Sequence, residues 1–293
     1  MLVFKYNCDS VFQWVIRIGG TLSDGGAFFI SSLAIDSSSN VYIHTSINGS
    51  TNFTSANGSN SVITSSGNYD AVLAKANSNG VIQWTTRMGG SGWDESGGIC
   101  LDRQQNVYIS GFFSGAASIS QIGGPTNLLV SAGSTDIFIA KYNPAGSLQY
   151  ATRAGGALQD YASQIATDTT GALYVTGGWG CCGNSTINFG NNVTNSNNWG
   201  AYLAKASPTG AWQWGVGIGG AGSESFSSVV VDDISNRVFV FGHFTGNTTV
   251  TTRPPGPATN ITSTGGFDAV LAAYNFNGNL QWVRTFGGAK EIS

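Results

Sequence analysis

Four carboxylates recur at one spacing. Asp24, Asp94, Asp160 and Glu224 each stand four positions after a Gly-Gly pair. Acids brought to one place can hold a hard cation such as calcium, which favours several carboxylate and carbonyl oxygens. They can also supply the acid and base of a lyase or glycosidase. Basic residues share the period: Lys5, Lys75, Lys141 and Lys205, and separately Arg17, Arg87 and Arg153. A common period for acid and base favours construction over chemistry. In that reading each acid caps its own loop or pairs with one of these bases. Calcium is then the one cofactor these residues suggest, and none is required.

The remaining reactive residues form no catalytic set. His44 lies three residues past Val41 and His243 five past Val238, which occupy the same repeat position. No Ser/His/Asp or Cys/His group shares a unit, and no H-x-x-x-H is present. Asp94 and Glu95 are adjacent, so on a strand they point to opposite faces. The four cysteines are Cys8, Cys100, Cys181 and Cys182, none in a zinc spacing. Cys100 sits in an apolar strand and reads as a small buried hydrophobe. Cys181 and Cys182 are either two free thiols in a loop or a vicinal disulfide. An enzyme is not expected.

The elements that position these residues repeat. The second glycine of each pair falls at Gly20, Gly90, Gly156, Gly220 and Gly288, spaced by 70, 66, 64 and 68 residues. Such a period suits a propeller blade with one long loop better than a solenoid repeat of roughly 20–47 residues. Each unit reads as strands A to D: "ISSLAID", "NVYIHTSI", "DAVLAKA" and "VIQWTTRM" in the first full unit. The A–B turns open with Asp, which can bond its own backbone, and the C–D turns "NSNG", "NPAG", "SPTG" and "NFNG" end in Gly. Trp14, Trp84, Tyr150, Trp214 and Trp282 open strand D, and Tyr42, Tyr108, Tyr174 and Phe239 share a strand B position. One large aromatic per unit is what packing between stacked sheets calls for.

Composition sets outer limits. Charged residues make up 9% of the 293-residue chain against a typical ~25%, while 41% are hydrophobic. That is enough apolar material for a core. The formal net charge is −3 with no basic run, which argues against a nucleic-acid partner. No apolar run approaches the roughly 20 residues of a membrane-spanning helix. The N-terminus lacks a signal-peptide pattern; "VFKYN" reads as a strand, so export would need a signal already removed or another route.

The segments "STDIFIAKYNPAGSLQYATRAGG" and "DTTGALYVTGG" resemble the SBBP-type β-propeller repeat proteins. The resemblance covers nearly the whole chain. It implies an all-β propeller and little about function. Unit three departs from the pattern at Gly200 and Gly217, and the last unit has Ala273 for the strand C Lys.

The expected fold is a single β-propeller domain over 1–293, with four complete four-stranded blades (21–90, 91–156, 157–220, 221–293) and a two-stranded N-terminal half-blade (1–20). The acids after Gly-Gly would then ring one mouth of a central channel. The half-blade has strands C and D but no A and B. It would close a five-bladed ring as a thin blade, belong to a larger propeller, or be completed by another chain through strand addition.

Long polar B–C loops are where unit-specific binding would reside. Phe112, Phe113, Trp179, Trp199 and Phe244 flank them, suited to a glycan or protein surface or to packing of the loop base. The loops hold the glycosylation sequons at Asn48, Asn52, Asn57, Asn184, Asn192, Asn247 and Asn260. These features point to a structural or interaction module on an extracellular, virion or filament surface. It would assemble with itself or with a partner subunit that completes the half-blade. A soluble carbohydrate- or protein-binding propeller is the alternative, and a lyase or glycosidase using channel-mouth carboxylates comes after it.

Overall fold

The computed structural model describes residues 1–22, 24–26, 31–122, 124, 126–179, 185–190, 192–196, 200–220, 222–253 and 256–289. Among these residues there are strands and turns but no helix. Cys181, Cys182, Asn184 and Trp199 lie outside them, and for Trp179 and Asn192 only the backbone is described.

The half-unit supplies β1 (Leu2–Tyr6) and β2 (Phe12–Gly20). The next unit supplies β3 (Ser32–Ile35), β4 (Val41–Thr54), β5 (Asn60–Ala76) and β6 (Ile82–Gly90). Then come β7 (Glu95–Leu101), β8 (Val107–Phe113), β9 (Ala116–Ile119), β10 (Asn127–Val130), β11 (Asp136–Tyr142) and β12 (Leu148–Ala154). The third full unit holds β13 (Asp160–Thr167), β14 (Leu173–Trp179), β15 (Ser185–Phe189), β16 (Asn192–Ser196), β17 (Gly200–Ala206) and β18 (Trp212–Gly220). The last holds β19 (Ser225–Asp232), β20 (Arg237–Phe244), β21 (Asn247–Val250), β22 (Thr259–Thr262), β23 (Asp268–Asn275) and β24 (Leu280–Phe286).

Strands A to D are hydrogen-bonded in that order in every full unit: β3-β4-β5-β6, β7-β8-β11-β12, β13-β14-β17-β18 and β19-β20-β23-β24. The half-unit is the antiparallel pair β1-β2. By compactness the chain divides into two units, Met1–Val130 with Ala140–Ala151, and Ser131–Ile139 with Thr152–Ser293. In the first, Trp14, Ile16 and Ile18 of β2 pack with Val72, Ala74 and Ala76 of β5. In the second, Trp214, Val216 and Ile218 of β18 pack with Val270, Ala272 and Tyr274 of β23. In both, the D strand of one repeat covers the C strand of the next.

Side chains set the turns as their types predict. Asp36 Oδ1 accepts the amides of Ser38 and Asn40 at 3.0 and 2.8 Å, and Asn77 Oδ1 those of Asn79 and Val81 at 3.0 Å each. The C–D turn glycine has two reasons to be glycine. Gly80 has φ of +72°, and a Cβ there would stand 2.7 Å from the Trp14 indole of the preceding repeat. Gly278 has φ of +82° and seats on Trp214 in the same way. In the half-unit Ser10 takes this left-handed position, with φ of +62°.

One expectation is corrected. The B–C segments are not long polar loops. β4 and β5 run on past their sheet to form a hairpin, and β9-β10, β15-β16 and β21-β22 are its counterparts. Each hairpin adds to the outer strand D of the preceding repeat. Phe53 pairs with Ile18, Ile119 with Met88 and Val250 with Ile218, while Asn188 bridges Gly155. An exposed edge strand is a template for unwanted pairing, and each of these hairpins closes one.

Candidate functional site

The acids after Gly-Gly lock this hairpin arrangement. The N–H of Gly20 donates to Asp24 Oδ2 at 2.7 Å, and that of Gly90 to Asp94 Oδ2 at 2.7 Å. The N–H of Gly156 donates to Asp160 Oδ2 at 2.6 Å. The other oxygen of Asp24 and of Asp94, and Oε1 of Glu224, takes a donor at the base of the docked hairpin. Thr51 Oγ1 donates to Asp24 (2.6 Å), the Ser114 amide to Asp94 (3.1 Å) and Thr248 Oγ1 to Glu224 (2.9 Å). Burial pushes the carboxyls of Asp94 and Glu224 up to about 7 and that of Asp160 to about 8. Asp24 and Asp94 thus join the last glycine of one repeat to the hairpin of the next, while among the described residues the buried Oε2 of Glu224 has no hydrogen-bond partner. Among the described residues no group of three or more His, Cys, Asp or Glu lies close enough to hold a metal ion.

Four of the seven periodic bases pair with other carboxylates. Arg87 meets the strand C residue Asp70 at 3.0 Å, and Arg153 meets Asp136. Lys75 and Lys141 meet the A–B turn residues Asp36 and Asp102 at 3.9 and 3.6 Å. These acids therefore cap their loops, and among the described residues none of them forms an ion pair with Lys or Arg. Unit three loses both members of the Asp–Arg pair together, at Gly200 and Gly217. There the Gly217 amide bonds Thr251 Oγ1 at 2.8 Å instead.

The other reactive groups are dispersed. His44 is buried, its ring nitrogens 3.1 and 3.0 Å from the Val72 and Ser110 carbonyls, and burial lowers its pKa to about 4. His243 is half-buried and edge-on to Phe267. Burial raises the Cys100 thiol, while Cys8 is a free, exposed thiol in the β1–β2 turn.

Phe112, Phe113 and Phe244 are buried, so their rings pack the strand ends rather than face solvent. Phe112 stands edge-on to Trp93 at 5.7 Å. Of the sequon residues, Asn52, Asn57, Asn247 and Asn260 are exposed and Asn48 is half-buried. Most lie on hairpin strands rather than on open loops.

Sequence reasoning missed the exposed features of the first and last repeats. Leu2, Phe4 and Tyr6 share one face of β1 and are 53, 51 and 56% exposed. The residues matching Phe4 in later repeats are Ala74, Ala140, Ala204 and Ala272, all buried. In the last repeat Phe241, Phe286 and Val230 are exposed, and Arg284 lies over the Trp282 ring. The size change from Ala to Phe at position 4 was the available signal.

Comparison with known proteins gives one distant likeness. An uncharacterized WD repeat-containing protein of Acanthamoeba polyphaga mimivirus is 21% identical over 233 residues, 70% of this chain and 16% of the relative. The chain thus spans about a sixth of that protein's length, 16%. No family model matches the chain. The likeness and the all-strand, antiparallel architecture together fit a propeller-like repeat fold.

Proposed function

We propose that this chain is a non-enzymatic structural and interaction module. In this reading it is a propeller-like repeat protein of the SBBP type that assembles with other protein chains on an extracellular, virion or filament surface. The β1 face carries the reading. Three large apolar side chains there are about half exposed, at positions whose counterparts are buried in every later repeat. Covering them would return on the order of 3 kcal/mol, at roughly 1.5–3 kcal/mol per fully buried side chain. Apolar groups clustered on a face mark an interaction surface. The periodic acids support a non-enzymatic role, because backbone amides and hydroxyls bond Asp94, Asp160 and one oxygen of Glu224. The WD repeat relative supports protein partners. Low charge and exposed sequon asparagines support an external setting.

Solution molar mass of the full chain, measured over a range of concentrations, tests the reading. Association that disappears in Phe4→Asp is expected. A monomer at every concentration that captures no partner through this face, and is unchanged by Phe4→Asp, would overturn it.

A further inference from the structure

Asp94 and Glu224 each stand at the joint between a D strand and the hairpin that covers its edge. Asp94 Oδ2 accepts from the Gly90 amide that ends β6, and Oδ1 from the Ser114 amide just before β9. Glu224 Oε1 accepts from Thr248 Oγ1 of β21, and Thr248 stands opposite Gly220 at the end of β18. Both acids are 1% exposed. Asp24 holds the β4–β5 hairpin in the same way, but there the acid is only half-buried.

Neither buried acid has a cation of its own. The guanidinium that acts on Asp94 is Arg87 of β6, which is paired at 3.0 Å with Asp70 of β5. Glu95 points away and accepts from Trp93 Nε1. His44 of β4 is buried and uncharged at neutral pH. Around Glu224 the positions of that Asp and Arg are Gly200 and Gly217. His243 of β20 stands opposite Ser225, and burial lowers its pKa, so it adds no charge at neutral pH. Asp268 of β23, opposite Phe244, is another acid. The Glu224 Oε2 is buried with no hydrogen-bond partner among the described residues. A carboxyl in such a place keeps its proton, because an unpaired buried charge costs far more than a neutral acid.

We infer that protons on Asp94 and Glu224 latch the β9–β10 and β21–β22 hairpins over the edges of β6 and β18, and that losing the proton lets each hairpin open by itself. Opening puts the carboxyl in water, where it ionises at its ordinary value, 3.8 for Asp and 4.5 for Glu. With the hairpin shut, burial holds both at about 7. Between those values opening releases one proton, so rising pH favours it about tenfold per unit. Below about pH 4 the latch has its full strength, and above about pH 7 the effect levels off. An open latch uncovers Met88–Gly90 or Ile218–Gly220, a bare strand edge able to pair with another strand. The latch is a property of the repeats themselves and does not depend on the interaction-module reading.

The test is amide exchange of the full chain between pH 5 and pH 7, corrected for the intrinsic rate. Protection of Ala116–Ile119 and of Asn247–Val250 should fall at least tenfold across this interval, while that of Thr51–Thr54 stays level. Glu224→Gln, neutral at every pH, should flatten the fall at Asn247–Val250 alone, and Asp94→Asn the fall at Ala116–Ile119 alone. Melting at pH 5, where the native acids are protonated too, checks the fold of both variants. The native profile decides the matter even where a variant melts early. Level protection in the native chain would overturn the inference. So would an equal fall in all three hairpins, which marks opening of the whole molecule, or a fall that survives at Asn247–Val250 in a folded Glu224→Gln. Association through the β1 face reads out separately with Phe4→Asp, so either idea can fail alone.

Discussion

β18 and β24 are the same strand in consecutive repeats, and they differ in what lies against them. On β18, Trp214, Val216 and Ile218 are at most 2% exposed. The Gly278 turn seats on the indole, and β21 pairs along the outer edge. The matching residues of β24 are Trp282, Arg284 and Phe286, and the last of these is 54% exposed. Arg284 in place of a buried aliphatic residue stacks its guanidinium 5.9 Å from the Trp282 ring centre. The strands themselves are built alike, so the difference is the neighbour. A repeat supplies its own hydrogen-bonded sheet, but the following repeat supplies the cover for its face and its outer edge.

If that is so, the same truncation should cost very different amounts in the two strands. Trp214→Ala removes a buried indole and the seat of the Gly278 turn. A loss of about 3–5 kcal/mol is expected by urea unfolding. Trp282→Ala should cost about 1 kcal/mol or less, because its ring is already partly in water. Equal losses would mean that β24 is covered as well as β18.

The outer edges give the next test. Gly90→Val drives a Cβ into the Ala116 carbonyl, and backbone cannot yield as a side chain can. The β9–β10 hairpin should leave its edge, at about 3 kcal/mol, with faster amide exchange through Ala116–Val130. The same change at Gly288 should shift stability by less than about 0.5 kcal/mol. A large effect at Gly288 would show that this edge is already covered.

These contrasts also mark where the sequence was legible. Strands A to D were readable because their alternation and their Asp, Asn and Gly turns are local signals. The acids after Gly-Gly were readable as loop caps, because an acid four residues past a turn reaches back to its amide. The hairpins were not. "STNFT" and "NSVITS" are short, polar and rich in Ser and Asn, which is how loops read. Their stability comes from a strand roughly 35 residues earlier, as in the pairing of Ile18 with Phe53. A left-handed glycine followed by Thr-x-Phe or Thr-x-Val was the signal available. The second glycine of each pair closes strand D and also leaves room for the hairpin backbone, which its position alone did not announce. Lys75 and Lys141 do meet carboxylates, but sequence spacing could not say which ones, nor that Lys5 and Lys205 would bond turn carbonyls.

The clamped edges should also respond to pH. Asp160, ordinarily at 3.8, is pushed by burial to about 8, and Glu224, ordinarily at 4.5, to about 7. The folded state therefore holds these protons more tightly than the unfolded chain. Their contribution is full below about pH 4 and is lost as pH rises through 7 to 8. The urea midpoint should fall between pH 5 and pH 8, and Asp160→Asn should flatten that slope. A midpoint rising over this interval would show the carboxylates to be ionised and favoured when folded.

The smallest effect concerns the lysine tie. Lys205 stands 5.0 Å over the Tyr174 ring and 5.3 Å over Phe276, and donates to the Phe276 carbonyl at 3.1 Å. Lys205→Ala should cost about 1–2 kcal/mol, the sum of a cation–π contact and one charged hydrogen bond. Ala273→Lys places the same group over Phe239 with no turn carbonyl to receive it. Ala273 is fully buried, so the longer side chain must displace its neighbours, and no gain in stability is expected. A gain comparable to the Lys205 loss would mean that β23 already faces a C–D turn.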